Sequence, residues 1–421
     1  MRVLVLGSGA KDHAMTWLFS QSKLITGLYI AQGNAGTSEI AVNLPHIDPS
    51  SCESVWQACK EYEIDFVFVG TEAPLFTGVI DYVNSRGIAT FGAPSHALKL
   101  EGDRHFARNF TSRHNIPTPA YRLFSDEASL SEFLGRHPGE NFVLKSNAMA
   151  PSRIMVDSSD YETLMNFGKG ILKNDNLILE NHVDGLSVTV TVFTDNNGYL
   201  KLPLSSDYTK SEDGGLGAPT GGMGSICPVP LPKNVLQQID ELIIEPTLYG
   251  MQVEQIAYKG VLTFSLIITD QGPVLVDYHV RFNDPATQAI VPLMKSDIID
   301  ILQAMKQDTL STFELELSSK SAVAVVVASQ GYPQDPIIGK KVQPLAHLIR
   351  TNLFSSMPKV FYGAVMDKEG ETVTVGGRNI TVVGIGKNII EANKQAYDYI
   401  HNVQFDGSWY RNDIGNKFFE N

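Results

Sequence analysis

The sequence predicts a multidomain chain that combines α/β and α+β architecture, and three observations support this class. Its 421 residues exceed the roughly 100 to 200 residues of one ordinary domain. In the first hundred residues, short apolar runs that end near a glycine alternate with amphipathic stretches, which is typical of a doubly wound parallel sheet. Further along, Val188, Val190 and Val192 alternate with polar residues and begin a series of antiparallel strands.

The N-terminal α/β domain is predicted to cover residues 1–103. Its buried parallel strands are expected at residues 3–6, 28–31, 66–69 and 89–91, because these runs are largely apolar and turn residues follow them.

The second domain is predicted at residues 104–325. Prolines at positions 117 and 119 interrupt the chain, and strands expected at 142–145 and 177–180 indicate a small subdomain over about 117–190. Strands at 262–269 and 274–278 continue an antiparallel core. Between these parts, residues 214–224 contain six glycines and are expected to form a long loop.

The third domain is predicted at residues 326–421 as a small β-rich unit. Its expected strands are residues 373–375 and 380–383, and a helix is expected at 389–400.

Composition excludes several classes of function. The net charge of -13 repels a phosphate backbone, so general nucleic-acid binding is not expected. Three cysteines match neither a disulfide framework nor a zinc site, which favours a reducing, cytoplasmic location. No secretion signal is expected at the N-terminus. The longest apolar run, residues 322–328, is shorter than the ~20 residues that span a bilayer, so no membrane segment is expected.

Three turns at strand ends are expected to form one rim of the N-terminal sheet. The first contains Gly9, the second Asn34 and Gly36, and the third Glu72 and Pro74. Carboxyl ends of parallel strands meet at one edge, and backbone N–H groups there favour a phosphate or carboxylate. A dinucleotide site is disfavoured, because an aspartate stands at the third glycine position of its fingerprint. Ordinary turns, with Glu72 solvated, are the alternative.

Two further strings in the second domain point to ligand binding. Gly221, Gly222 and Gly224 lie in a dense glycine stretch where backbone can approach a ligand closely, although a flexible surface loop has the same composition. Asp277 and His279 are two residues apart on a predicted strand and share a face. Both can ligate a divalent metal, and a structural aspartate–histidine pair is the alternative.

Together these strings resemble the phosphoribosylamine–glycine ligases, a family of ATP-grasp enzymes of purine biosynthesis. The resemblance covers nearly the whole chain, and residues 7–14 read GSGAKDHA where the family has GxGGREHA. Further matching strings are LEG at 100–102, IPT at 116–118, RFNDPATQ at 281–288, GYP at 331–333, GGR at 376–378 and RNDIG at 411–415. The resemblance implies a pre-ATP-grasp domain, an ATP-grasp core with a small mobile lid, and a C-terminal domain.

The resemblance also implies roles for five residues in nucleotide and metal binding. Arg104 and Lys145 would hold the ATP phosphates, and Glu180 would lie near the adenine. Asp277 and His279 would hold Mg²⁺ or Mn²⁺. An imidazole in place of the family's asparagine makes Mg²⁺ a poorer fit, because this ion prefers oxygen ligands.

Arg281 and Asp284 are implied as the catalytic residues that hold the amino acid. In the family reaction, the amino acid carboxylate attacks the γ-phosphate of ATP, and an amine then displaces phosphate from the acyl phosphate. The implied partners are small molecules, for example glycine and phosphoribosylamine, and the chain is expected to be a monomer or a homodimer.

The departures from the family pattern cluster in the nucleotide half. The family has lysine at the position of Arg104, and a lid loop of the type KADGLAxGKG where residues 145–154 read KSNAMAPSRI. The family's Gly-Glu-Glu is replaced by GLS at 185–187, and its Glu-Phe-Asn by DYH at 277–279. Three alternatives therefore remain: a ligase of the family type, a ligase recruited to another amine or amino acid, and a binding protein that has lost ATP.

Overall fold

The computed structural model describes residues 1–147, 155–343 and 357–419. The N-terminal domain contains a five-stranded sheet with the order β3-β2-β1-β4-β5, and every neighbouring pair is parallel. This confirms the doubly wound α/β prediction. Its elements are β1 Arg2–Gly7, α1 Ala10–Ser20, β2 Gly27–Gln32, β3 Val42–Leu44, α2 Cys52–Glu61, β4 Phe66–Val69, α3 Glu72–Phe76, α4 Val79–Asn84, β5 Ala89–Phe91 and α5 Lys99–Gly102.

The lid subdomain is a four-stranded antiparallel sheet with the order β6-β9-β7-β8. It has a hydrophobic core of its own, separate from those of the other parts. The strands predicted near residues 142–145 and 177–180 are confirmed as β7 and β9. The elements here are α6 Arg104–Arg113, β6 Tyr121–Phe124, α7 Glu127–Arg136, β7 Phe142–Ser146, β8 Met155–Ser158, α8 Tyr161–Leu172 and β9 Leu177–Asn181.

The central core is an antiparallel sheet with the order β11-β10-β14-β15. The valines predicted to begin this series are buried in β10, which confirms the predicted strand. The elements are β10 Leu186–Thr194, β11 Tyr199–Lys201, β12 Ser206–Glu212, β13 Leu216–Cys227, α9 Lys233–Ile239, α10 Glu245–Val253, β14 Gly260–Thr269, β15 Gly272–His279, α11 Ala286–Ile290 and α12 Ile298–Lys306.

The C-terminal part has a sheet with the order β12-β13-β16-β20-β17, with β21 also paired to β16. Two of its strands, β12 and β13, thus come from the middle of the chain. The remaining elements are β16 Ser321–Ser329, β17 Lys359–Tyr362, β18 Val365–Lys368, β19 Glu371–Thr374, β20 Arg378–Gly386, α13 Ile389–Ile400 and β21 Ser408–Trp409. The domain boundaries remain predictions, and β16 runs across the one predicted after residue 325.

The expectation of a long loop at residues 214–224 is wrong. Most of this stretch forms β13, whose end pairs with β16. Gly224 serves close packing, because a Cβ atom at this position would lie 2.6 Å from Ile414 Cδ1 and 2.8 Å from the Ala324 carbonyl oxygen. Within the described residues, none of the helices has both the length and the apolar character needed to cross a membrane.

The contact between β20 and α13 yields a stability prediction. A Cβ atom at Gly384 would lie 2.0 Å from the Ala392 carbonyl oxygen, so Gly384→Ala should lower the free energy of unfolding by about 1–3 kcal/mol through overpacking. Urea denaturation measures the change. The control is Gly170→Ala on α8, where no atom lies within 4 Å of an added Cβ and a gain of about 0.5–1 kcal/mol is expected. Equal effects of the two substitutions would contradict this packing.

Candidate functional site

A cleft of about 380 Å³ lies where the N-terminal domain, the central core and the C-terminal sheet meet. Its walls come from the turn before α1, the segment between β15 and α11, and the beginning of β20. The residues lining it include Ser8, Gly9, Ala10, Asp284, Tyr332, Gly363, Gly377 and Arg378. The structure therefore places Gly9 and Asp284, two residues predicted from sequence, in one cavity.

The first turn of the rim carries a carboxylate of its own. The Gly9 N–H donates to Asp12 Oδ2 at 3.0 Å, and Asp12 Oδ1 is buried with no hydrogen-bond partner among the described residues. Burial raises the pKa of Asp12 to about 6. An anion that approached this turn would therefore find the Gly9 N–H already engaged by Asp12. At neutral pH the negative charge of Asp12 would also repel it.

The second turn is held by hydrogen bonds to the first turn and to β17. Asn34 Nδ2 donates to the carbonyl oxygens of Ser8 (2.8 Å) and Tyr362 (2.7 Å), and its Oδ1 accepts from the Gly36 N–H at 2.9 Å. Gly36 leaves room for His13, whose Cε1 would lie 2.3 Å from an added Cβ. Both predicted residues thus fix the rim to its neighbours, and a direct contact with substrate remains a prediction for them.

The third turn forms an ion pair with the segment that follows β15. Glu72 Oε1 lies 2.5 Å from Arg281 Nη2, and the same nitrogen lies 2.9 Å from Glu101 Oε1. Burial acts against ionisation of Glu72, but Arg281 and then Lys11 lower its pKa overall. Pro74 is buried in α3. The structure thus brings Arg281 and Glu72 together, whereas Glu101 was not assigned a role from sequence.

Asp284 is joined to β13 through an arginine that the sequence analysis did not assign. Arg378 Nη1 donates to Asp284 Oδ1 at 3.0 Å and to the Gly221 carbonyl oxygen at 2.8 Å. A Cβ atom at Gly221 would lie 2.8 Å from Arg378 Cζ, and one at Gly222 2.9 Å from the Asp284 carbonyl oxygen. Gly221 and Gly222 therefore allow Arg378 and the Asp284 segment to approach β13, and a direct contact with substrate remains a prediction for them. The sequence feature that could have identified Arg378 was its position in the GGR string at 376–378, which matches the family.

A buried lysine completes this half of the site. Lys11 Nζ donates to the Phe282 carbonyl oxygen at 3.1 Å. Burial and the nearby Arg281 lower its pKa, although carboxylates around it act in the opposite direction. Lys11 occupies the position of the arginine in the family string, so that string could have identified it as a site residue.

The predicted nucleotide residues form one group of ion pairs between the lid and the core. Lys145 Nζ lies 2.8 Å from Glu180 Oε2 and 3.3 Å from Asp277 Oδ2. Arg104 Nε lies 3.3 Å from Asp277 Oδ1, and its Nη1 donates to the Ser146 carbonyl oxygen at 2.6 Å. The Lys145 and Glu180 side chains are only 1% and 2% exposed. Four residues that the sequence analysis assigned to nucleotide and metal binding thus lie in one group of ion pairs.

Arg108 belongs to the same group and was missed. Its Nε donates to Glu180 Oε1 at 2.7 Å, and its Nη2 donates to the Val276 carbonyl oxygen. It therefore ties α6 to lid strand β9 and core strand β15. Its position four residues after Arg104, on one face of a helix, was the signal that could have found it.

His279 contacts a different group from Asp277. Its Nε2 lies 3.0 Å from Ser265 Oγ and its Nδ1 lies 3.3 Å from Glu101 Oε1. Asp277 and His279 are residue types that bind divalent ions, but in this arrangement both side chains contact other protein groups. In the described part of the chain, no set of three or more His, Cys, Asp or Glu residues is placed to hold a metal ion. Metal binding by Asp277 and His279 remains a prediction.

The altered lid loop at residues 148–154 lies outside the described residues.

Comparison with known proteins places this geometry in a family. Three family models match consecutive parts of the chain: the N domain of phosphoribosylglycinamide synthetase at residues 1–101, its ATP-grasp (A) domain at 102–287 and its C domain at 322–417. The phosphoribosylamine–glycine ligase of Agrobacterium fabrum is 35% identical over 423 residues, covering 99% of this chain and 98% of that protein. The chain belongs to this family.

Two further relatives define the extent of the family match. The structure of phosphoribosylamine–glycine ligase from Thermotoga maritima superposes with a TM-score of 0.82 at 27% identity, covering 98% of this chain and 100% of that one. The chicken trifunctional purine biosynthetic protein adenosine-3 is 32% identical over 424 residues, but the chain spans only 42% of its length. The expected three-part architecture with an ATP-grasp domain is therefore confirmed.

The buried ion pairs of the nucleotide half carry a stability prediction. Glu180→Gln leaves Arg108 and Lys145 without their shared carboxylate, and should lower the free energy of unfolding by about 3 kcal/mol, since an unmatched buried charge is costly. Urea denaturation is the measurement. Glu132→Gln on α7 is the control, because its pair with Arg136 is well exposed and contributes little. A similar small change in both variants would mean that the Glu180 pairs are solvated in solution.

Proposed function

We propose that this protein is an ATP-dependent carboxylate–amine ligase that activates an amino acid as an acyl phosphate and transfers it to a phosphoribosyl amine. Glycine and phosphoribosylamine are the first substrates to test, because these words name the activity of its relatives. The observation that carries the proposal is that Asp284, paired with Arg378, lines the three-domain cleft of a chain that belongs to this family.

The charges around the cleft suit a zwitterionic substrate. Arg281 and Arg378 can pair with a carboxylate, whereas Glu72 and Asp284 can pair with an amine. Each of these side chains already has a partner of opposite charge, so a substrate would exchange one ion pair for another. Such exchange keeps the groups oriented before the substrate arrives.

Phosphoryl transfer needs positioning and positive charge more than covalent assistance from the protein. Arg104 and Lys145 would supply that charge at the ATP phosphates, with Glu180 near the adenine side. The carboxylate oxygen of the amino acid then forms a bond to the γ-phosphorus as ADP leaves. ATP-grasp proteins use ATP with a divalent metal ion, and Mg²⁺ or Mn²⁺ is our proposal for this chain, with Asp277 and His279 as its candidate ligands.

In the second step, the nitrogen of the amine bonds to the acyl carbon, inorganic phosphate leaves, and the nitrogen loses one proton. A cleft shared by three domains would restrict water, which would otherwise hydrolyse the acyl phosphate. We also propose a cytoplasmic location and a monomeric or homodimeric state; light scattering of the purified protein tests the latter.

A ligase with another substrate pair, or a protein without ATP turnover, is the second candidate. The observation that favours it is that Lys145 and Arg104 lie against Asp277 and Glu180, in a chain whose lid sequence departs from the family. Phosphate release with ATP and panels of amino acids and amines separates these cases. Release with glycine and phosphoribosylamine supports the first proposal, release only with another pair supports recruitment, and no release supports loss of turnover.

ATP affinity is predicted to depend on Lys145. Lys145→Ala should weaken ATP binding by about 1.5–3 kcal/mol, because a charge-assisted phosphate contact is lost. Isothermal titration calorimetry is the measurement, and Lys169→Ala at an exposed position of lid helix α8 is the control. Absence of heat from the unmodified protein at millimolar ATP, with and without metal, would contradict ATP binding.

Metal preference is predicted to depend on His279. His279→Asn replaces an imidazole nitrogen with an amide oxygen, so the preferred ion should shift from Mn²⁺ toward Mg²⁺. Calorimetric titration of each ion in the presence of ATP measures this, together with phosphate release. The same order of affinities in both proteins would mean that His279 acts only between Ser265 and Glu101.

A further inference from the structure

A bulge interrupts the pairing of β13 with β12. Between the pair formed by Gly224 and the pair formed by Pro219, four residues of β13, 220–223, face a single residue of β12. The backbone N–H and carbonyl groups of a bulge lose their partners in the ladder. They must therefore form hydrogen bonds elsewhere, and those bonds fix the position of the bulge.

Two residues from the C-terminal part of the chain hold this bulge through the same glycine. The Gly221 N–H donates to the Tyr332 hydroxyl at 3.0 Å, and the Gly221 carbonyl oxygen accepts from Arg378 Nη1 at 2.8 Å. The Gly222 carbonyl oxygen also accepts from Arg378 Nη1, at 3.3 Å. Tyr332 and Arg378 thus engage both polar groups of Gly221, so a change at one of them is felt at the other.

The other contacts of the bulge connect it to β12 and to the segment after β15. Thr220 Oγ1 accepts from the Gly222 N–H at 3.0 Å and donates to the Thr209 carbonyl oxygen at 2.9 Å. Gly222 has a φ of +111°, and an added Cβ atom there would lie 2.5 Å from Pro285 Cδ. The bulge is therefore packed closely against the segment that carries Asp284, in a conformation that favours glycine.

Tyr332 also lines the cleft, together with Arg378 and Asp284. Its ring packs against Gly377, where an added Cβ atom would lie 2.1 Å from Tyr332 Cδ2. The packing of the ring therefore holds the hydroxyl in place, close to the arginine that follows Gly377. Arg378 Nη1 in turn donates to Asp284 Oδ1 at 3.0 Å, so the same nitrogen joins the bulge to the carboxylate of the cleft.

We infer that Tyr332 is a positioning residue of the ligase reaction, which fixes Arg378 through the bulge and does not itself recognise the substrate. Loss of the hydroxyl would leave the Gly221 N–H without this partner, and the bulge would then be free to turn. The carbonyl groups that orient Arg378 would turn with it, so the guanidinium would no longer be held ready beside Asp284. This inference deepens the proposed function and rests on it, because that function assigns Arg378 to the carboxylate of the substrate.

Removal of one hydroxyl gives the first test. Tyr332→Phe keeps the ring and should raise the KM for glycine, or for the amino acid that the phosphate-release panel selects, about 2- to 10-fold, the range of one neutral hydrogen bond. The KM for ATP should stay the same. Tyr249→Phe on α10, at a position that is 66% exposed, is the control and should behave as the unmodified protein. An unchanged KM for the amino acid in Tyr332→Phe would show that water replaces the hydroxyl and would overturn the inference.

A double-mutant cycle gives the second test, because it separates an effect through Arg378 from a general effect on the fold. Arg378→Lys keeps the charge but not the fork of donors, so it should weaken binding of the same amino acid, measured by calorimetry with a non-hydrolysable ATP analogue present. Adding Tyr332→Phe to Arg378→Lys should change that affinity by less than about 2-fold, since both residues act through the same peptide group. Effects that multiply as independent factors would overturn the inference.

The outcomes separate this inference from the proposed function. If no pair of acid and amine supports phosphate release, the ligase proposal fails, and the double-mutant cycle in amino acid binding still decides whether Tyr332 positions Arg378. If phosphate is released and Tyr332→Phe changes no KM, the ligase proposal stands and the inference fails. If no amino acid binds or reacts, both fail, because Arg378 then orients no substrate. Melting temperatures of the variants confirm that they are folded.

Discussion

The Glu101 carboxylate is the constraint on which the geometry of the site depends. Its side chain is fully buried at the end of the N-terminal domain, and it receives Arg281 Nη2 at 2.9 Å, the Val280 N–H at 2.9 Å and His279 Nδ1 at 3.3 Å. A buried charge must be matched in this way, because desolvation without partners is prohibitive. These contacts fix the end of β15, and with it the start of the segment that carries Asp284 to the cleft.

The two halves of the site differ in how completely their charges are matched. In the nucleotide half, the side chains of Lys145 and Arg108 both reach Glu180, so the cations have anionic partners within the protein. In the substrate half, a buried oxygen of Asp12 has no hydrogen-bond partner among the described residues. Unsatisfied buried groups raise the free energy of the unliganded state, and a ligand that satisfies them gains affinity.

Burial shifts the pKa values of two residues at the first turn, His13 and Asp12, in opposite directions. It lowers the pKa of His13 to about 3, so the ring is neutral and its Nδ1 accepts from the Tyr362 N–H at 2.9 Å. The same effect raises the pKa of Asp12 to about 6, within reach of a modest change in pH. Thus the histidine joins the N-terminal domain to β17, whereas the aspartate is the group of this turn whose charge can change.

The sequence by itself determined the strands of the parallel sheet, the antiparallel core and most charged residues of the site, because apolar periodicity and short motifs are local features. It could not show that Arg108 pairs with Glu180, 72 residues away, or that Arg378 pairs with Asp284, 94 residues away. Nor did the glycine-rich stretch reveal a strand of the C-terminal sheet, since β13 is defined by its partner β16. Only the tertiary structure decided these points, because each depends on which distant segments meet, and local sequence does not specify that.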